Sequence, residues 1–134
     1  MNIWIHSVKH ESQRYPTCGD WLTHAGRLEE IRVSRMDNPD HEFLVGIHEL
    51  VEAYLCQKRG ITDQQVTEFD KKFETARKTG AHFYGFYIGD AEEPGDHPNS
   101  PYRNEHKFAT AIEKMLADEI GVDWEEYEKA IYNL

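Results

Sequence analysis

The segment from Asn38 to Gly60 constrains the fold more than any other part of the chain, because it joins a helix start, a long uninterrupted run and a helix stop. Asn38-Pro39-Asp40 is a good start signal, with proline at the first helical position and an acid in the first turn. Gly60 is a typical stop residue. The pattern predicts one helix that runs to about Lys58.

Local signals predict three further helices and a small sheet around this helix. The other helices are expected at about Thr62–Lys78, Ser100–Ile120 and Trp124–Asn133. Strands are expected at Asn2–Val8, Asp20–His24 and Leu28–Ser34. Ala25-Gly26, between the last two, is typical of a hairpin turn. The predicted fold class is α+β, a small N-terminal antiparallel sheet packed on a layer of about four helices, in a single domain spanning 1–134.

The segment 79–101 carries no helical pattern. His82–Ile88 is rich in aromatic residues and is a candidate strand, whereas Asp90–Ser100 is polar and rich in turn residues. A loop of this length in a small domain is usually functional or disordered.

The long predicted helix has two faces when its residues are placed at roughly 100° intervals. One face is apolar and is expected to be the core face: Phe43, Leu44, Ile47, Leu50, Val51, Tyr54 and Leu55. The other holds two histidines and three glutamates: His41, Glu42, His48, Glu49 and Glu52. A solvated acidic face is one reading of this pattern, and a metal site is the other.

The sequence HELVE, His48 to Glu52, carries the metal reading. His48 and Glu52 are one turn apart and point the same way, so an imidazole nitrogen and a carboxylate oxygen can bind one cation. Glu49 occupies the position that holds the general base in HExxH enzymes. The predicted cofactor is Zn²⁺ or another divalent metal.

A third ligand is expected from a later helix. His106 lies at the margin of the apolar stripe predicted for the helix that starts near Ser100, and Glu113 is two turns further along the same column. Asp70, at the edge of the preceding helix's apolar stripe, is the alternative third ligand. Each also has a plain reading, His106 as a hydrogen-bonded core histidine and Asp70 as a surface partner of Arg77.

Composition excludes several classes of function. The formal net charge of −10 argues against binding to nucleic-acid backbones, which requires clustered lysine and arginine. No apolar run is long enough for a membrane span, and the N-terminus lacks the features of a signal peptide. Two cysteines do not make a disulfide scaffold, so a reducing, cytoplasmic setting is expected.

The strand LEEIRVS followed by a helix bearing HELVE resembles the core of zincin-like metallopeptidases. The resemblance covers about thirty residues. It implies that His48 is the first metal ligand, that Glu49 is the general base, and that an edge strand over the helix binds extended substrate. Glu52 stands where that family has a second histidine, which makes the site more anionic.

The whole chain also resembles a set of small uncharacterised bacterial and phage proteins, through stretches such as QRYPTCGDW, EFLVGIHELVEAYLC and PYRNEHKFAT. Three functions follow as hypotheses. The first is a metal-dependent, peptidase-like hydrolase with an unknown substrate. The second is a Mg²⁺-dependent nucleotide pyrophosphohydrolase, since Glu49 and Glu52 form half of its paired-glutamate pattern. The third is a non-enzymatic bacterial or phage interaction module whose acidic surface binds a basic partner or mimics the charge of a nucleic acid.

Overall fold

Three strands and four helices make up the fold in the computed structural model, which describes residues 1–134. The strands are β1 (Trp4–Val8), β2 (Gly19–His24) and β3 (Arg27–Ser34). The helices are α1 (Pro39–Lys58), α2 (Asp63–Thr79), α3 (Arg103–Glu119) and α4 (Trp124–Tyr132). The predicted α+β class is confirmed. No helix is both long enough and apolar enough to cross a bilayer.

The sheet is mixed, so the prediction of an antiparallel sheet is wrong for one strand. β2 and β3 form the predicted antiparallel hairpin, and its turn residues Ala25 and Gly26 both have positive φ, as a two-residue turn requires. β1 pairs with the other edge of β3 in parallel, with Ile5 opposite Ile31. Turn residues specify the hairpin locally, whereas nothing local specifies the partner of β1. LEEIRVS is therefore the central strand, and β2 is an edge strand.

The helix ends follow the local signals closely. The side chain of Asn38 accepts a hydrogen bond from the Asp40 N–H at the start of α1. Thr62 and Gln65 form a complete capping box at the start of α2. Gly80 ends α2 in the left-handed conformation that glycine adopts without strain.

The prediction for the two faces of helix α1 is wrong in part: Leu44 of the predicted core face is fully buried, but the polar face is buried as well. Its supposed core residues Phe43 and Tyr54 are 48% and 46% exposed, whereas Glu49 and Glu52 are 9% and 4% exposed. The helix packs on the sheet and on α3, and its histidine and glutamate face is turned into the space between them. The reading of this face as a solvated acidic surface is therefore wrong.

Helix α3 likewise buries polar side chains while part of its predicted apolar stripe is exposed. Phe108 and Met115, placed in its predicted apolar stripe, are 54% and 69% exposed, while His106 and Glu113 are buried. The small residues Ala109 and Ala117 are also buried. Two helices thus turn charged side chains towards each other, which is tolerated only when these groups are paired.

The apolar core lies mainly under β2 and β3. Trp21, Ile31 and Val33 from the sheet meet Leu44 and Val45 of α1 there. A separate group of aromatic side chains lies against α2, where the ring of Phe83 contacts those of Phe69 and Phe73. The candidate strand His82–Ile88 is instead a turn, with a single β-bridge between Phe83 and Phe86.

Candidate metal centre

Three side-chain donors from two helices converge in the space between α1 and α3. The Nε2 atom of His48 lies 3.1 Å from Oε2 of Glu52, and Nδ1 of His106 lies 3.0 Å from the same oxygen. The two nitrogens are 3.2 Å apart. All three residues are buried. The structure thus brings together the three residues that the sequence suggested as ligands.

The hydrogen bonds around His48 fix which of its nitrogens faces this cluster. Its Nδ1 lies 2.7 Å from Oε2 of Glu113, and a carboxylate only accepts, so Nδ1 donates. Tyr127 donates to the other oxygen of Glu113. A neutral His48 then presents the lone pair of Nε2 to the carboxylate of Glu52, which is repulsive. Either a proton, bound to Nε2 itself or donated in a hydrogen bond by Nδ1 of His106 at 3.2 Å, or a metal ion has to meet that lone pair.

Protonation of the histidines is one way to remove this repulsion, and it makes both His48 and His106 positively charged. Burial lowers the pKa of His48, but hydrogen bonds to Glu113 and Glu52 outweigh burial and raise that pKa well above its ordinary value. Burial is likewise outweighed in His106, whose pKa rises to about 10 beside Glu52 and Glu93. Burial raises the pKa of Glu52, yet the two histidines lower it to about 2. Two imidazolium groups would then crowd one carboxylate oxygen.

A metal ion is the other solution, and the donor spacing fits one. Around a zinc ion with bonds of about 2.0–2.1 Å, tetrahedral donors lie roughly 3.3 Å apart. The three donor–donor distances of 3.0, 3.1 and 3.2 Å are close to that value. Two imidazoles and one carboxylate are a zinc ligand set that leaves a fourth position for a water or substrate atom. A bound cation would also remove the need for the two extra protons.

Glu49 lies beside this cluster without a partner. It is 9% exposed, and no hydrogen bond reaches its carboxylate from any other side chain or from the backbone. Burial first, and the charge of Glu52 second, raise its pKa well above the ordinary value. The backbone of β2 packs closely against the Glu49 side chain, since a Cβ placed on Gly19 would lie 2.5 Å from Cγ of Glu49. Such a carboxylate is suited to accepting a proton.

The carboxylate of Glu52 is held from its other side. The indole Nε1 of Trp21, on β2, donates to its Oε1 at 3.3 Å. The oxygen that faces the two histidines is therefore Oε2, and the edge strand helps to orient it. Outer contacts of this kind fix the geometry of metal ligands in many proteins.

Asp70, the alternative third ligand, lies elsewhere. It is outside the group of donors that converge on Glu52. Its two oxygens accept hydrogen bonds from the hydroxyls of Tyr15, at 2.8 Å, and Tyr102, at 2.6 Å. Burial raises its pKa to about 7, even though both tyrosines oppose that rise. The structure gives Asp70 a packing role between α2 and the start of α3.

Sequence reasoning did not assign three residues that contact the centre. Glu113 lies two turns after His106 on the same column of α3, and this spacing is a usable signal for its contact with His48. Trp21 and Glu93 gave no signal, because a strand tryptophan and a loop glutamate are common and their contacts are not local in sequence.

A large cavity of about 1010 Å³ opens onto the centre. His48, Glu49, Glu52 and His106 line one part of it. The segment Glu92–Asp96, part of the loop expected to be functional or disordered, forms another part of the wall. The volume is sufficient for a ligand larger than a metal ion and its water.

Comparisons with known proteins do not assign the chain to a family. No protein-family model, no curated protein and no solved structure matches this chain. The resemblance to zincin-like peptidases therefore stays a prediction that rests on the short motif from His48 to Glu52.

Proposed function

We propose that the protein binds a divalent metal ion of the zinc type through His48, Glu52 and His106, and that it is a metal-dependent, peptidase-like hydrolase. One observation carries the proposal: three buried donor atoms from two helices lie within 3.2 Å of one another, close to the spacing of the ligands around a zinc ion. When bound, the ion supplies Lewis-acid chemistry for attack by water.

The residues around the donors have separate tasks in this proposal. Glu49 is free to take a proton from the attacking water and return it to the leaving group, because no other group occupies its carboxylate. Glu113 holds the imidazole of His48 in the tautomer that presents Nε2. The cavity beside Glu49 receives the substrate.

The two other hypotheses fit the structure less well. A Mg²⁺ site prefers oxygen ligands, whereas two of these three donors are imidazole nitrogens. An acidic docking surface would use the nineteen acidic residues that are not buried, and it does not account for the six that are: Asp20, Glu49, Glu52, Asp70, Glu105 and Glu113. Glu49 and Glu52, which suggested the Mg²⁺-dependent function, are among those six.

The first experiment measures bound metal. The chain is expressed without a histidine tag and analysed by elemental mass spectrometry beside His48→Ala and the control His24→Ala, which alters a largely exposed histidine. We expect near-stoichiometric zinc in the wild type and in the control, and none in His48→Ala. Absence of metal from the wild type, even after refolding with zinc, would refute the proposal.

Thermal unfolding distinguishes a variant that folds but does not bind zinc from one that does not fold. Zinc added to metal-free wild type should raise its Tm, since binding to the native state at 100 times Kd stabilises it by about 2.7 kcal/mol. His48→Ala should show a cooperative transition that zinc does not shift. Assays on peptide and amide substrates then test hydrolysis.

A further inference from the structure

The second nitrogen of His106 has an unusual environment. The residue is 6% exposed, and its buried Nε2 atom makes no hydrogen bond. Two carboxylates nevertheless face it, with Oε2 of Glu93 at 3.0 Å and Oδ1 of Asp96 at 3.5 Å. The three donor atoms lie within 4.8 Å of one another. An unsatisfied buried nitrogen beside two anionic oxygens calls for an explanation.

The contrast with His48 shows that this is not an ordinary orienting contact. Glu113 meets the outer nitrogen of His48 in a direct hydrogen bond of 2.7 Å. Glu93 lies within ion-pair distance of Nε2 on His106, but the bond direction is outside hydrogen-bonding geometry. Two carboxylates also face this nitrogen, whereas a single N–H group makes only one well-aligned hydrogen bond.

The backbone around these acids is shaped to hold them there. Glu93 precedes a single turn of 3-10 helix, Pro94–Asp96, which ends at Asp96 and packs against α3. A Cβ placed on Gly95 would lie 2.4 Å from Cγ of His106, so only glycine lets the loop approach the ring so closely. Both acids remain about half exposed, with side-chain accessibilities of 52% and 61%. Water can therefore complete a coordination shell.

We infer that Nε2 of His106, Glu93 and Asp96 bind a second divalent cation, so that His106 bridges two metal ions as an imidazolate, its Nε2 proton being released to water when the second ion binds. The wider spacing and the oxygen-rich, solvent-accessible donor set suit a first-row divalent ion that keeps several waters. This ion is bound more weakly than the one held by the buried donors. The inference rests on the proposed function, because the two ions share His106.

Zinc stoichiometry tests the inference directly. Metal-free protein is dialysed against buffered zinc, and bound metal is counted for wild type, Asp96→Asn and the control Asp90→Asn. Asp90 lies in the same loop, and only its backbone carbonyl is engaged, by Arg77. We expect two zinc ions per chain in the wild type and the control, and one in Asp96→Asn. Asp96 is largely exposed, so the variant should fold normally.

Cobalt gives an independent readout of bridging. Two Co²⁺ ions joined through one imidazole should couple magnetically, which lowers the electron paramagnetic resonance signal per ion in the wild type. Asp96→Asn, with one ion, should recover the full signal per ion. Uncoupled signals from two bound ions would overturn the bridge.

The count also separates the two proposals. No zinc in the wild type would refute the proposed function and this inference together. One zinc ion, unchanged in Asp96→Asn, would overturn only the second site and would make Glu93 an ion-pair partner of a protonated His106. Loss of the second ion from the control as well would show that loop charge, not the three donors, holds it.

Discussion

Nδ1 of His48 donates a 2.7 Å hydrogen bond to Glu113, and this bond links α1 to α3 behind the candidate metal centre. It determines that Nε2 of the same ring points at Glu52 and His106. The tyrosine hydroxyl of Tyr127 holds the far oxygen of Glu113. The geometry of the candidate ligands therefore depends on Glu113, which is not one of the three converging donors.

Glu113→Gln is predicted to weaken zinc binding by about 10- to 100-fold, the usual effect of losing a partner that orients a metal-bound histidine. The amide is neutral and no longer favours Nδ1–H on His48 over the other tautomer. Competition with a zinc chelator of known affinity measures the change. Glu105→Gln is the matched control, since Glu105 is also buried on α3 but pairs with Arg59, away from the centre. Equal affinities in both variants would contradict the orienting role.

Gly95→Ala is predicted to weaken metal binding without unfolding the protein. The added methyl group would lie 2.4 Å from the ring of His106, so the ring or the loop has to move. Gly46→Ala is the control, because its added methyl would meet Ile5 of β1 at an ordinary 3.4 Å, and alanine favours a helix. Zinc affinity and Tm of the metal-free proteins separate the effects. An unchanged zinc affinity in Gly95→Ala would show that the loop does not constrain His106.

Glu49→Gln should separate binding from catalysis. The proposed base is not a ligand, so zinc content should match the wild type, whereas Glu52→Gln should lose zinc. Any hydrolytic activity should fall by about 10²- to 10⁴-fold, the usual range for a general base. Removing a buried carboxylate that no hydrogen bond supports should leave the Tm of the metal-free protein equal or higher. Full activity in Glu49→Gln would reject the assigned role.

Local features of the fold were predictable, and non-local ones were not. The capping residues Asn38 and Thr62 specify helix starts through neighbours two or three positions away, so α1 and α2 begin where expected. The hairpin follows equally from Ala25-Gly26. The parallel pairing of β1 joins residues 26 positions apart, as in Ile5 with Ile31, and no local signal determines it.

The candidate site divides in the same way. His48 and Glu52 are four residues apart in one helix, so a short segment of sequence is enough to predict that their side chains lie close together. The burial of the polar face of α1 cannot be predicted from that segment, because the usual analysis of amphipathic helices assumes that charged residues face water. Here Glu52 is buried because partners on α3 and β2, His106 and Trp21, satisfy it. Those partners come from distant parts of the chain, which only the folded structure brings together.

Asp70 provides a pH-dependent contribution to stability that is independent of the metal. Its pKa rises from the ordinary 3.8 to about 7 in the folded protein, chiefly through burial. Between these values the native state holds a proton that the unfolded state has released, so stability falls as pH rises through this window. The contribution is complete below about pH 4 and is lost above about pH 7.

Asp70→Asn removes this titration while keeping an acceptor for Tyr15 or Tyr102. Relative to wild type, the variant should therefore gain free energy of unfolding as pH rises, by on the order of 1–4 kcal/mol between pH 4.5 and 8. Urea unfolding of the metal-free proteins at both pH values measures the gain, and other titrating groups cancel in the difference. Asp118→Asn, at an exposed position on α3, should show no such trend. A difference between Asp70→Asn and wild type that stays constant with pH would mean that Asp70 is ionised in the native state throughout this range.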